Sequence, residues 1–149
     1  MDKNEKINRI IQSFRAVNRN FLIHVRSNAK DLGVTTLQLQ ILRILHESPD
    51  IGLIELANKV ATSKSTVSET VERLVKAGYI ERNRSMQDRR ALVMRLTEDG
   101  VLQKVEAYKE YMERLSGLHA LDDHEVELLL SLHEKIIKNI KTDGDEQNG

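Results

Sequence analysis

Short hydroxyl side chains and a cation follow one another at the start of a predicted helix near the middle of the chain. Ser63 is a suitable helix N-cap, and apolar residues recur after it at helical spacing. The first amide groups of this helix would then face outward beside Lys64, Ser65 and Thr66. Amide, hydroxyl and ammonium groups placed in this way can approach phosphate oxygens and the edges of bases. The stretch therefore indicates non-covalent recognition of a polyanion.

The rest of this helix divides into an apolar stripe and a polar face. The stripe that can pack inward consists of Val67, Val71, Leu74 and Val75. The remaining positions that stay outside are Ser68, Glu69, Glu72, Arg73 and Lys76. Gly78 fits the position that ends a helix. A shorter helical pattern, Leu53–Val60, precedes it by only three residues. So short a connection requires a tight turn between packed helices, which predicts a helix-turn-helix.

A basic hairpin is predicted directly after this pair of helices. Strand-like runs at Tyr79–Ile80 and Leu92–Leu96 bracket a polar tip, Ser85–Arg90. Residues 81–95 carry two carboxylates and five arginines, a net charge of +3, the arginines being Arg82, Arg84, Arg89, Arg90 and Arg95. Such a ribbon suits the phosphate backbone or a narrow minor groove. We expect Asp88 to hold the guanidinium of Arg90 in one orientation through a bidentate ion pair.

The segment Asp88–Gly100 resembles the wing signature of the MarR family of bacterial and archaeal transcriptional regulators, Asp-x-Arg followed after four or five residues by Leu-Thr-x-x-Gly. Residues 63–68 and 74–82 also resemble that family's recognition helix and first wing strand, and the resemblance covers nearly the whole chain. It implies a homodimer that represses or activates transcription at a pseudo-palindromic operator in double-stranded DNA, often with a small-molecule effector. It further implies that the recognition helix enters the major groove and the wing the minor groove.

The resemblance and the residue types together define a predicted set of DNA-contacting residues. Asp88 and Arg90 match the wing pair, and residues 63–69 match the start of the recognition helix. The full set is Ser63, Lys64, Ser65, Thr66, Ser68, Glu69, Arg73, Arg84, Asp88, Arg89 and Arg90. We expect hydroxyl groups in this set to contact bases or phosphates, and most of its cations to contact phosphates.

Charge is distributed unevenly along a chain that is formally neutral. The 149 residues include 23 basic and 23 acidic side chains. Residues 53–97 hold nine basic and five acidic side chains, whereas residues 98–149 hold six and thirteen. The central segment can therefore face a polyanion while the acidic C-terminal part is held away from it.

Long amphipathic helices are predicted on both sides of the central segment. The first runs from Lys3 to about Lys30, and the last two run from Glu98 to Leu115 and onward from a cap at Asp122. Their apolar faces are wider than this small chain can cover, although packing within one monomer is the alternative for the first helix. We therefore expect a two-fold homodimer in which residues 1–31 and 98–141 form the dimerisation region.

The predicted fold is mainly α with a small β-hairpin wing, a single MarR-type domain over residues 1–149. Residues 32–97 form its winged helix-turn-helix DNA-binding lobe, which includes a helix capped by Thr35 and ended at Ser48–Pro49. Residues 142–149 are expected to be a disordered tail.

Other chemistry finds little support in the sequence. The chain has no cysteine, which excludes disulfides and thiol-based redox sensing. No two of its five histidines have the i, i+4 spacing of a helical zinc site. We therefore expect the histidines to be satisfied or interfacial side chains rather than metal ligands, and a metal-responsive regulator is the less favoured alternative. No nucleophile elbow or phosphate-binding glycine loop is present, and we expect neither an enzyme nor a cofactor.

Two further expectations follow from residue type. A winged helix used only for protein interaction is the other alternative, and it would show an apolar recognition surface where Lys64, Arg73 and Lys76 make this one basic. No apolar run approaches the ~20 residues that span a bilayer, and the N-terminus lacks the pattern of a signal peptide. We therefore expect a cytoplasmic protein without a membrane partner.

Overall fold

The structure, a computed structural model, describes residues 1–26 and 33–142. Its regular elements, in chain order, are α1 (Lys3–Arg26), α2 (Thr36–Glu47), α3 (Leu53–Val60), α4 (Lys64–Lys76), β1 (Ile80–Arg84), β2 (Leu92–Leu96), α5 (Glu98–Arg114), a 3₁₀ helix (Ser116–Ala120) and α6 (Asp123–Thr142). This confirms the predicted mainly α fold with a hairpin wing. The last part of the predicted first helix, residues 27–30, and residues 143–149 of the predicted tail lie outside the described residues.

The chain divides into two compact units. The first, Met1–Arg114, contains α1 to α5 and the hairpin, and the second, Leu115–Gly149, contains the 3₁₀ helix and α6. These two units do not coincide with the predicted DNA-binding lobe, residues 32–97, and dimerisation region, residues 1–31 and 98–141. The division into lobe and dimerisation region stays a prediction. None of the described helices is both long and apolar enough to cross a membrane.

Predicted caps fix the ends of two helices. The amide of Gln38 donates to the hydroxyl of Thr35 (3.2 Å), and the amide of Thr35 donates back to the side chain of Gln38 (2.9 Å), which completes a capping box at α2. Asp122 and Glu125 exchange the same pair of hydrogen bonds at the start of α6. These local bonds satisfy amides that the helix itself cannot.

An apolar core joins α2, α3, α4 and α5 to the hairpin. Its largest fully buried side chains come from α2, α3 and α4 and are Ile41, Leu42, Leu45, Leu56, Leu74 and Val67. Ile80 of β1 and Met94 of β2 are buried in the same cluster. The hairpin is therefore attached to the core that holds the helix-turn-helix.

The turn between α3 and α4 occupies the three residues that the sequence indicated. Ala61 takes the left-handed conformation (φ 55°), and its amide donates to the carbonyl groups of Ala57 and Asn58. At the other end of α4, Gly78 is left-handed (φ 81°). The amide of Tyr79 then donates to the carbonyl of Leu74 (2.9 Å), and the amide of Gly78 to that of Val75 (3.0 Å). This Schellman arrangement turns the chain directly into β1.

The hairpin is anchored at its base to the connector between α2 and α3. β1 and β2 pair antiparallel, with Arg82 opposite Met94, and Ile51 forms an isolated bridge to Met94. The bridge adds a third backbone segment beside β2.

Contacts made by Thr97 and Gly100 account for the spacing of Leu-Thr-x-x-Gly at the end of the wing signature. The hydroxyl of Thr97 donates to the carbonyl of Gly78 (2.5 Å) and accepts from the amide of Gly100 (3.0 Å), so that Thr97 caps α5. A Cβ atom on Gly100 would overlap the backbone carbonyl of Tyr79. Only glycine therefore lets α5 start this close to the base of the hairpin.

α5 packs on the core through one small residue and two partly buried tyrosines. Ala107 is the buried apolar residue of α5, and Tyr108 and Tyr111 pack partly buried beside it. Val105 and Met112 are exposed.

Replacing Gly100 with alanine should destabilise the fold by about 1–3 kcal/mol or more, because a backbone carbonyl cannot move aside as a flexible side chain does. Urea unfolding followed by circular dichroism measures the change. Gly117→Ala is the matched control, since no atom lies within 4 Å of a Cβ added there. Equal stability of the two variants would contradict the close approach of α5 to Tyr79.

Candidate nucleic-acid interface

The N-terminal end of α4 presents an exposed row of hydroxyls above a buried stripe. Val67, Val71 and Leu74 are buried, which turns the opposite side of the helix toward solvent. The predicted contact residues on α4 and its cap are all exposed, namely Ser63, Lys64, Ser65, Thr66, Ser68, Glu69 and Arg73. The helix-turn-helix therefore brings the predicted recognition residues together on one surface.

Two of these hydroxyls also have a structural role. Ser63 accepts a hydrogen bond from the amide of Thr66 (3.3 Å), as predicted for the N-cap, and its hydroxyl donates to that of Thr66 (2.8 Å). Ser65 lies 3.5 Å from the hydroxyl of Ser63. Because hydroxyl oxygens have two lone pairs, capping leaves acceptor capacity on this cluster.

Arg73 is held on the surface of α4 by its neighbour one turn earlier. Its Nη2 donates to Oε1 of Glu69 (2.9 Å), and both side chains are about two-thirds exposed. Exposed pairs at this spacing contribute only about 0.3–0.5 kcal/mol. Arg73 can therefore leave Glu69 for a stronger anionic partner at little cost.

The tip of the wing is an ordered turn rather than an open loop. The amide of Ser85 donates to the carbonyl of Ala91 (2.9 Å), and the amide of Ala91 to that of Asp88 (3.0 Å). The hydroxyl of Ser85 accepts from the amides of Gln87 and Asp88. These bonds close the chain between the two strands and fix the direction of the tip.

Asp88 has a different partner from the one expected. Its Oδ1 accepts from the backbone amide of Arg90 (3.0 Å), and no ion pair joins the two side chains in the part of the chain that the structure describes. An Asx-type bond to an amide two residues ahead is a common local solution for aspartate in a turn, and it wins here over the charge pair. Asp88 therefore shapes the backbone that carries Arg90 instead of orienting its guanidinium.

Arg84 folds back over the tip. Its Nη1 donates to the carbonyl of Arg89 (3.2 Å) and lies 3.5 Å from that of Arg90. Sequence reasoning placed Arg84 among the phosphate contacts because charge alone does not distinguish an arginine that braces a turn from one that extends to solvent.

Two ion pairs tie the hairpin to neighbouring elements, and sequence reasoning missed both. Arg82 of β1 pairs with Glu72 of α4. Arg95 of β2 forms a two-point pair with Asp50, with Nε 2.8 Å from Oδ1. The second pair joins residues 45 positions apart in sequence, which no local spacing could indicate.

The pair between Asp50 and Arg95 changes the ionisation of both groups. The hydrogen bond from Arg95 lowers the pKa of the Asp50 carboxyl below its ordinary value, with charge attraction adding to it and desolvation opposing it. The same hydrogen bond raises the pKa of Arg95. Asp50 also has φ 61°, a left-handed conformation that aspartate and asparagine adopt more readily than other residues.

A cavity of about 260 Å³ lies between α2 and α5, away from the exposed face of α4. Six residues line it, and they are Thr36, Leu39, Gln40, Arg43, Tyr108 and Tyr111. The guanidinium of Arg43 lies 4.6 Å from the centre of the Tyr108 ring, which is cation–π geometry. No group of three or more potential metal ligands occurs among the described residues.

Because its pKa is lowered, the Asp50 carboxylate stabilises the folded chain above its ordinary pKa, and this contribution disappears as pH falls through the lowered value. We expect Asp50→Asn to be less stable than the parent chain at neutral pH, with the difference shrinking below about pH 4. Urea midpoints measured from neutral to acidic pH provide the test. Asparagine keeps the left-handed preference of the backbone, so the loss falls on the two-point pair with Arg95.

Glu55→Gln is the control for this measurement, because it neutralises an exposed carboxylate on α3 for which the described residues contain no ion pair. A stability difference for Asp50→Asn that does not change with pH would contradict the ion pair.

Comparison with known proteins agrees with this geometry. The MarR family model matches residues 34–92, which include α2 to α4 and most of the hairpin. The HTH-type transcriptional regulator YcgE of Bacillus subtilis (strain 168) is 32% identical over 84 residues, 56% of this chain and 54% of YcgE. The chain spans about half the length of the curated relatives it matches.

Solved structures extend the similarity to nearly the whole chain. The transcriptional regulator BldR from Sulfolobus solfataricus has a TM-score of 0.77 at 24% identity, with 93% of this chain and 99% of BldR covered. A mutant MarR from E. coli, complexed with operator DNA, has a TM-score of 0.75 at 21% identity, with 91% of this chain and 99% of that MarR covered. These two structures show a common fold.

YcgE and BldR are both transcriptional regulators. The matched segment contains the helix-turn-helix and the tip of the wing, the parts that the sequence motif indicated. The winged helix-turn-helix segment of this chain, residues 34–92, therefore matches the MarR family.

Proposed function

We propose that this chain is a transcriptional repressor that binds a pseudo-palindromic DNA operator as a homodimer and is released by a small-molecule effector. The observation that carries the proposal is the common support of two recognition elements. The exposed face of α4 and the basic tip of the wing are both fixed to one apolar core. Two elements with a fixed relative position can enter adjacent grooves of one duplex.

The recognition helix is suited to the major groove. α4 has 13 residues, and its exposed N-terminal turn combines hydroxyls with Lys64. In helix-turn-helix proteins, residues at the N-terminal end of the second helix contact base edges. We assign Ser65, Thr66 and Ser68 to bases or phosphates, and Lys64 and Arg73 to phosphates. Glu69 would accept a hydrogen bond from cytosine once Arg73 turns to a phosphate.

The wing is suited to the neighbouring minor groove. Arg89 and Arg90 lie at the exposed tip, beyond the last paired residues of β1 and β2. The negative potential of DNA is deepest in a narrow minor groove, where arginine is favoured. The bond from Asp88 to the amide of Arg90 holds the backbone of the tip in one conformation, which lowers the entropy lost on binding.

Dimerisation would cover the apolar faces left open on α1 and α6. Exposed apolar side chains of α1 are Ile7, Ile10, Ile11, Phe14, Val17, Leu22 and Ile23. Those of α6 are Val126, Leu128, Leu129, Leu130, Leu132, Ile137 and Ile140. Apolar surface of this extent on two helices is typical of an interface between subunits. A second copy related by two-fold symmetry would match a pseudo-palindromic operator, with the two α4 helices about 34 Å apart.

Regulation would act on the separation of the two recognition helices. The cavity beside Arg43 and Tyr108 offers a cation, phenol groups and an apolar wall, which suits an anionic aromatic effector. A ligand that binds better to a dimer with another helix separation would release the operator, to the extent of that difference in affinity. Since the operator lies on the chromosome of a bacterium or archaeon, we place the protein in the cytoplasm.

The alternatives have less support. A winged helix used for protein interaction would expose apolar residues on α4, whereas the exposed positions there are polar or charged. A metal-responsive regulator requires a cluster of ligands, and the described residues contain no such group of three or more.

Replacing Arg90 with alanine should weaken binding to a duplex selected from a random pool by about 1–3 kcal/mol. The loss is expected because the minor-groove contact disappears while the fold is unchanged. Fluorescence anisotropy at two salt concentrations measures the affinity. Lys109→Ala, which removes an exposed cation from α5, should leave the affinity nearly unchanged. Equal affinities of the Arg90 variant and the parent chain would contradict the wing contact.

Replacing Ile137 with glutamate should dissociate the dimer. Ile137 is 54% exposed on the apolar side of α6, and a buried carboxylate in the interface would have no partner. Ser131→Glu adds the same charge about 120° around the helix, on its polar side, and should stay dimeric. Sedimentation equilibrium at micromolar concentration distinguishes the two. A parent chain that is monomeric under these conditions would contradict the proposed assembly.

A further inference from the structure

The five arginines of the hairpin are not equivalent. Three of them have polar partners within the protein, and these are Arg82, Arg84 and Arg95. For the guanidinium groups of Arg89 and Arg90, residues 1–26 and 33–142 provide neither a hydrogen bond nor an ion pair. The net charge of the wing therefore overstates the number of its arginines that are available to contact a ligand.

Arg84 acts on the backbone that carries the other two arginines. Its guanidinium bonds to the carbonyl of Arg89 and approaches that of Arg90 within 3.5 Å, so one side chain spans the two peptide groups at the tip. Arg84 is also the last residue of β1, opposite Leu92 in the register. Moving Arg84 to a phosphate would remove a bond that closes the tip, and the direction of both free arginines would be lost with it.

Arg82 and Arg95 act at the base of the hairpin. The pair between Arg82 and Glu72 joins β1 to the recognition helix, and the pair between Arg95 and Asp50 joins β2 to the connector before α3. One pair lies on each strand, so together they oppose rotation of the hairpin relative to α4. Both pairs are partly exposed, so each is a modest constraint in addition to the apolar core.

We propose that Arg82, Arg84 and Arg95 are positioning residues of the wing and that only Arg89 and Arg90 carry its charge to DNA. This division of roles rests on the proposed DNA-binding function. It changes the predicted role of Arg84, from a phosphate contact to a brace that acts through Arg89 and Arg90. It also reduces the expected contribution of each wing to the salt dependence of binding from three charges, those of Arg84, Arg89 and Arg90, to two.

The experiment compares Arg84→Gln with Arg89→Gln and Arg90→Gln in the full chain. Amide hydrogen exchange is measured without DNA, and binding of a random-sequence duplex is measured by anisotropy over a range of salt concentrations. Each phosphate contact changes the slope of log K against log salt concentration by about 0.9 per subunit. The exchange rates of the Ser85, Arg90 and Ala91 amides report the order of the tip, because all three are bonded within it.

We expect Arg89→Gln and Arg90→Gln each to reduce the slope by about one unit per subunit and to leave exchange at the tip unchanged. Arg84→Gln should accelerate exchange at the tip, and it should cause almost no further loss of affinity in a chain that already lacks both free arginines. Arg84→Lys keeps the charge, but its side chain is one bond shorter than the path to Nη1 of arginine, so it should not restore protection.

Opposite results would overturn the proposal. If Arg84→Gln leaves exchange unchanged, lowers the slope as Arg90→Gln does, and loses affinity additively with it, then Arg84 is itself a phosphate contact. Rescue of affinity by Arg84→Lys would lead to the same conclusion. If the parent chain binds no duplex at any salt concentration, the proposed function fails, and the exchange rates of the DNA-free protein still decide whether Arg84 orders the tip.

Discussion

The shared apolar core is the constraint on which the arrangement of this protein depends. Leu42, Leu56 and Leu74 come from three successive helices and are almost fully excluded from solvent, and Ile80 and Met94 bring the hairpin into the same cluster. Truncation of such side chains to alanine usually costs about 2–5 kcal/mol. Because one cluster supports both elements, the recognition helix cannot shift without disturbing the base of the wing.

Exposed ion pairs add smaller constraints to the positions that the apolar core gives to α4 and the hairpin. The carboxylates of Glu72, Asp50 and Glu69 each face an arginine of α4 or of the hairpin. Exposed pairs of this kind add little to stability, but they determine which cations stay free and where the free ones point. The chain is formally neutral, yet the tip of the wing holds two arginines whose guanidinium groups have no partner among the described residues. A neutral protein can in this way present a local polycation to DNA.

Local patterns in the sequence predicted most of the fold, and contacts distant in sequence account for what was missed. The caps at Thr35, Ser63 and Asp122 depend on residues three positions apart, so spacing alone located them. The pair between Asp50 and Arg95 depends on tertiary structure, and no rule of spacing predicts it. Asp88 was placed correctly on the wing, but its partner was wrong because a nearby amide competes with a nearby guanidinium.

The central claim is that a recognition helix and a basic wing, held by one core, are presented twice with a separation of one turn of DNA. Chemical footprinting of a duplex selected from a random pool tests it most directly, with methylation at guanine N7 for the major groove and hydroxyl radicals for the minor groove. The account predicts two protected major-groove segments about 10 base pairs apart, each flanked by a protected minor groove. A single protected segment, or uniform protection with no sequence preference, would contradict it.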